Sequence, residues 1–358
     1  MDRKAHPTKS RVWSVSQATA TVTPFQYLPT IRLSDVTQCA VRWLWDGFIA
    51  FGKVSTIAGN PGLGKSQITA SLAATVSNGG VLPMSQNRVE PARVLFLCAE
   101  DDVADTISPR CEAAGADLSR IEVVQAIGKG RNTHHFNLRD DIELLDAQLG
   151  DYGDVALVVI DPISAYLGGI DSHRNSEVRG VLQPLGDIAS RHSVAIVAVD
   201  HLSKNESRTA LMRVNGSIGF TGMARAVLLV TTDKSDPKRR LLVTAKNNLA
   251  IDHRALAFCI ERKILDSGIP TSVVSWEKEY VQITAEEAMA PEDNREASAL
   301  AEAKEFLLQE LSDGPQPAKH IKEESEAMGL SWSSIRRAQK QLRIRPDKDA
   351  AQWVWRLP

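Results

Sequence analysis

Apolar residues along the chain fall in short, nearly unbroken runs separated by longer mixed stretches. The runs at 54–58, 93–98, 155–160, 194–199, 226–231 and 241–245 are mostly Val, Leu, Ile and Ala. A run that is apolar at nearly every position belongs to a strand covered on both faces. Intervening stretches such as 66–77 and 177–191 are long enough for helices. This alternation predicts an α/β fold, a mainly parallel sheet flanked by helices. Between the last two runs, Asp233 to Arg239 includes Lys-Ser-Asp-Pro-Lys. That composition is turn-like and predicts a hairpin.

The flanks differ from this block. Residues 1–28 are polar, rich in Ser and Thr and without periodicity, and are expected to be disordered. Around 286–296 the chain is acidic, contains Pro291 and reads as a linker between a 29–285 domain and a 297–358 domain. The last region predicts helices over 297–311, 317–329 and 331–344, with Ser331 as an N-cap. A hairpin follows in RIRPDKDAAQWVWRLP. Three helices and a hairpin form a winged-helix pattern. By spacing, Trp332, Ile335, Ala338 and Leu342 share one helix face, while Arg336, Lys340 and Arg343 form a basic stripe with Arg337 beside them. These four basic residues are candidate DNA contacts.

Composition changes this picture little. Of 358 residues, 43% are hydrophobic and 24% charged, and the net charge is −2, which gives no global sign of a nucleic-acid or membrane partner. The average hides a local excess, because nine Lys or Arg face five Asp or Glu from Pro315 onward. No apolar run nears the ~18 residues of a membrane span. Cys39, Cys98, Cys111 and Cys259 lack metal-ligand spacing, and Cys98 and Cys259 lie in apolar runs. A reducing cytoplasm is the expected location.

The candidate chemistry sits at the carboxyl ends of the strands, where open α/β sheets bind ligands. Gly59, Asn60, Pro61, Gly62, Leu63, Gly64, Lys65 and Ser66 fit G-x-x-x-x-G-K-[ST], with Gln67 following. Glycines let backbone N–H groups converge on phosphate oxygens, Lys65 neutralises their charge, and the Ser66 hydroxyl reaches Mg²⁺. ATP and Mg²⁺ are the implied ligands. Other strand ends supply Asp161 for Mg²⁺, Glu100 to activate water, and His201 to contact the γ-phosphate. Asp101 and Asp102 have the place of helix N-caps.

In order, WLWDGFIAFGKVSTIAGNPGLGKS, LCAED, VVID, DHLSK, GSIGFTGMARAVLLV and TAKNNL resemble the RecA-like ATPases. They are most similar to the hexameric replicative helicases of plasmid RepA type, a group shared with phages and mobile elements. The likeness spans about residues 30 to 285. It implies a RecA-like fold, Glu100 as the catalytic carboxylate, and Arg225 as an arginine finger given to a neighbouring subunit. It therefore implies a homo-oligomeric, hexameric ring acting on single-stranded DNA with other replication proteins. Lys246 sits where related ring helicases carry a K-x-R pair and is placed with the nucleotide; position 248 is Asn248, so the second cation is missing. The loops at 162–179 and 202–220 correspond to those that line the DNA path, with Lys204, Arg208 and Arg213 as contacts. The expected function is an ATP-driven helicase or translocase. The alternative is a non-translocating ATPase switch or loader that binds DNA or a partner through its C-terminal module.

Overall fold

A computed structural model describes residues 30–128, 133–170, 175–203, 209–214, 218–250, 254–290, 294–349 and 352–357. The expectations for 1–28, Lys204 and Arg208 lie outside the described residues. The chain divides into two units, Met1–Ala40 and Val41–Pro358. In the first, Leu33–Asp35 forms one 3-10 turn.

The second unit is organised by a nine-stranded sheet. Its strands are β1 Val54–Gly59, β2 Arg93–Cys98, β3 Ile121–Val123, β4 Val155–Asp161, β5 Ala195–His201, β6 Ala226–Asp233, β7 Asp236–Asn247, β8 Ala255–Ile264 and β9 Pro270–Val281. Their spatial order is β9-β8-β7-β6-β1-β5-β4-β2-β3. From β6 to β3 all neighbours are parallel. β7, β8 and β9 add an antiparallel wing. The expected hairpin is present, with Asp233 opposite Asp236. This is the mainly parallel sheet that the apolar runs predict, enlarged at one edge.

Helices α1 Lys65–Asn78, α2 Ser108–Ala113, α3 Ile142–Tyr152, α4 Asn175–His192, α5 Ile218–Met223 and α6 Ala285–Met289 surround it. Successive strand residues serve opposite faces. Leu157 and Val159 join a core with Ile68, Leu72 and Val76 of α1. Val158 and Ile160 join a second core with Val178, Leu182 and Leu185 of α4. A strand with two covered faces has no polar face to show, which is why these runs lack alternation.

The C-terminal part contains α7 Asn294–Glu310, α8 Ala318–Ala327 and α9 Trp332–Gln341. A small sheet of β10 Gln316–Pro317, β11 Arg345–Asp349 and β12 Gln352–Arg356 has the order β10-β12-β11. Ile335 and Ala338 are buried with Phe306, Leu307, Ile321 and Trp355, and Trp332 and Leu342 pack at the margin. The Ser331 hydroxyl caps α9, accepting the Ser334 N–H at 3.2 Å. Within the stretch read as a linker, α6 is a short helix closed by a capping box between Thr284 and Glu287. Cys98 and Cys259 are half-buried, and Cys111 is buried. Burial pushes the Cys98 thiol up, and that of Cys111 up to about 12. No described helix is long and apolar enough to cross a membrane.

Candidate active site

Between β1 and α1 the chain turns through Gly62 at φ 77° and Gly64 at φ 90°. These are left-handed values that side chains disfavour. At Gly64 a Cβ would stand 2.4 Å from Ile260 Cδ1 on β8; at Gly59 it would meet the Val230 carbonyl oxygen at 2.7 Å. Leu63 packs its side chain against the core below. Asn60, Pro61 and Gly62 are exposed. The loop is thus anchored at Leu63, pressed on by β8, and open above. The N-terminus of α1 points into the opening, where backbone N–H groups attract anions.

Lys65 is only 6% exposed. Its Nζ donates to the carbonyls of Gly59 at 2.9 Å and Asn60 at 3.1 Å, and lies 3.4 Å from His201 Nδ1. Burial lowers the pKa of the ammonium, while Asp161, Glu100 and Asp200 hold it up. An ammonium only donates, so His201 Nδ1 is the acceptor and the ring proton sits on Nε2. Nε2 is 3.8 Å from Glu100 Oε1. Burial and then Lys65 lower the His201 pKa, against an upward pull from Glu100. His201 is therefore a neutral imidazole near pH 7, linking lysine to glutamate.

Asp161 ends β4 beside Ser66, which hydrogen-bonds its carboxylate. Burial pushes its pKa up to about 6, with Asp101 and Glu100 adding to the rise against Ser66 and Lys65. The hydroxyl and the carboxylate are hard oxygen donors, and Asp101 and Glu100 add negative charge beside Asp161. That donor set fits Mg²⁺, which keeps several waters and takes phosphate oxygens as further ligands. Lys65, Ser66, Glu100, Asp161 and His201 line one cleft of about 310 Å³.

Three residues of this cleft carry no sequence signal. Arg110 of α2 pairs with Asp101 at 2.7 Å. Ile260 and Ser272 reach the cleft from β8 and β9. Ser272 hydrogen-bonds Gln67 at 2.6 Å, so Gln67, 6% exposed, braces the loop against β9 with its side chain. The two N-cap expectations divide. Asp102 accepts the N–H groups of Ala104 and Asp105, whereas Asp101 faces Arg110 instead.

Two other expected nucleotide residues lie elsewhere. Arg225 N–H donates to the Val54 carbonyl at the start of β1, while the phosphate loop follows its end. Six strand residues separate the two, about 20 Å. Lys246 pairs with Val227 in register and donates to the carbonyls of Thr221 at 2.5 Å and Ala224 at 2.9 Å. Burial and the nearby Arg225 lower its pKa. Lys246 thus does not touch the phosphate loop of its own chain; it ties β7 to the turn after α5.

Of the expected DNA contacts, Arg213 is 8% exposed and donates to the Met289 carbonyl at 3.1 Å. Its guanidinium faces inward because it clasps α6, so it offers no charge to a phosphate backbone. Arg336, Arg337, Lys340 and Arg343 are exposed.

Comparison with known proteins places this geometry. A family model described as an AAA domain, AAA_25, matches residues 21–207. Among solved structures, one ATPase domain is similar with a TM-score of 0.43 and 13% identity, covering 62% of this chain and 84% of that one. The family match takes in the phosphate loop, Glu100, Asp161 and His201 and more than half of the 358 residues, and the chain belongs to this AAA-domain family of P-loop ATPases.

Proposed function

We propose that this protein is an ATP-hydrolysing ring ATPase that acts on single-stranded DNA, as a replicative helicase or translocase of a phage, plasmid or mobile element. The observation that carries the hydrolytic reading is the convergence of Lys65, Ser66, Glu100, Asp161 and His201 in one cleft. The backbone of 59–66 cradles the phosphates. Lys65 leaves the Gly59 and Asn60 carbonyls for phosphate oxygens. Ser66 and Asp161 would hold Mg²⁺, which would neutralise charge on the phosphates. Glu100, 63% exposed on its side chain, orients water and takes its proton. His201 lies against Lys65 and within 3.8 Å of Glu100, so loss of the γ-phosphate changes its contacts at the point where β5 passes into the next loop.

Arg225 supports the oligomeric part. It is exposed about 20 Å from its own phosphate loop, so it serves a nucleotide only on a second copy. The DNA part rests on the exposed basic face of α9 in a winged-helix-like C-terminal module. A second reading, a non-translocating switch or loader, draws support from the inward-facing Arg213, which removes an expected DNA contact from the loop after β5.

The test compares ATPase rate with and without single-stranded DNA and measures strand displacement on a forked duplex. Stimulation and unwinding that both vanish in Lys65→Ala bear the helicase reading out. Hydrolysis indifferent to DNA, without unwinding, overturns it in favour of the switch.

A further inference from the structure

The C-terminal module carries an aromatic feature that a basic helix alone does not need. Trp355 on β12 is 1% exposed, stacked on Trp332 at 5.6 Å between centroids, with Arg336 lying 5.7 Å over its ring. Trp353 lies two residues earlier on the same strand, hence on the same sheet face by alternation. It is 57% exposed. Across the hairpin its register partner is Lys348, also exposed. Among the described residues Arg336, Lys340, Arg343, Arg345 and Lys348 are exposed and form no ion pair, while the acid Asp347 is taken up by Arg356 at 3.2 Å.

An exposed Trp is costly to leave in water, and here it gives nothing to the core, since Trp355 already closes it. Its indole is an exposed π-face with Lys348 directly across the hairpin, on a module that carries four further cations without an ion pair. That combination matches a polyanion with accessible aromatic rings, which is single-stranded DNA; intact duplex keeps its base faces stacked and offers only its backbone and groove edges. We propose that Trp353 is a stacking platform for an unpaired base, so that the C-terminal module binds single strands or the unpaired arm of a fork in preference to continuous duplex. This rests on the reading of the module as a DNA-binding unit and specifies which DNA it takes.

The test uses the full chain without nucleotide and fluorescence anisotropy with labelled oligo(dT). Relaxed, covalently closed duplex circles serve as competitor. The expected result is weak competition by closed duplex and a loss of about tenfold in oligo(dT) affinity for Trp353→Ala, with Trp353→Phe close to the parent. Oligo(dT) carrying 5-iododeoxyuridine should cross-link under ultraviolet light to the peptide containing Trp353. Unchanged affinity in Trp353→Ala, together with loss on reversing Arg336 and Lys340 to Glu, overturns the stacking proposal and leaves DNA binding by backbone contacts. No binding to either DNA overturns both the proposal and the reading beneath it.

Discussion

At Gly64 backbone and packing constrain the same atom, with φ 90° and a Cβ position 2.4 Å from Ile260 Cδ1. Gly64→Ala is expected to lower stability by roughly 2 kcal/mol or more in urea unfolding and to abolish ATP binding. Adding Ile260→Ala should recover only part, because the dihedral strain stays; full recovery would show that φ is not limiting. Asp161 gives a pH prediction. Its folded pKa, about 6, lies above the unfolded value near 4, so between these values the folded state holds the extra proton. Stability therefore falls as pH rises through that window, and the cost is complete above it. In metal-free protein, Asp161→Asn should raise stability at about pH 8 by up to roughly 3 kcal/mol and make little difference near pH 4. A variant no more stable than the parent at the higher pH would sink this. Lys65, Glu100, Asp161 and His201 were legible because each follows an apolar run or sits in a fixed motif. Arg110 and Ser272 were not, since a six-residue helix and a half-exposed strand give no spacing that singles out one position.

At the scale of elements, legibility followed burial. Strands covered on both faces appear as unbroken runs, and β1, β2, β4, β5 and β6 match their runs within two residues, whereas β7 begins five residues before its run, in an exposed stretch. β8 begins apolar and ends in Glu-Arg-Lys-Ile, and β9 is mostly half-buried or exposed, so neither reads as a buried strand. Yet these two brace the site. Ile260 presses on Gly64, Ser272 bonds Gln67, Trp276 bonds Ser71 at 3.2 Å, and Lys263 reaches the Ala113 carbonyl at 2.6 Å. The C-terminal helices were legible through caps and period. Ser331→Ala should destabilise α9 by ~1 kcal/mol, seen as faster amide exchange at Ser334 and Ile335. Unchanged exchange would mean that the cap contributes nothing measurable.

At the scale of the molecule, the phosphate loop and Arg225 occupy opposite ends of one sheet. If Arg225 serves a neighbour, Lys65→Ala and Arg225→Ala proteins should each be inactive alone and recover on mixing. In a randomly mixed ring about a quarter of the interfaces combine an intact loop with an intact arginine, which sets the recovery expected. Mixed rings with no recovery would rule out a finger supplied in trans. Sequence alone placed these residues in order but gave no distance between them, because separation across a sheet depends on strand pairing.

The contact of β8 and β9 with α1 also bears on where the smallest working ATPase ends. The family match stops at residue 207, before either strand begins. A chain cut there keeps Lys65, Ser66, Glu100, Asp161 and His201 but loses Ile260 and Ser272, and with them one wall of the cleft. Cleft residues and cooperative unit are then different lengths of polypeptide: the polar residues of the cleft that the family match covers end at His201, and the stiffness of the pocket is supplied about seventy residues later.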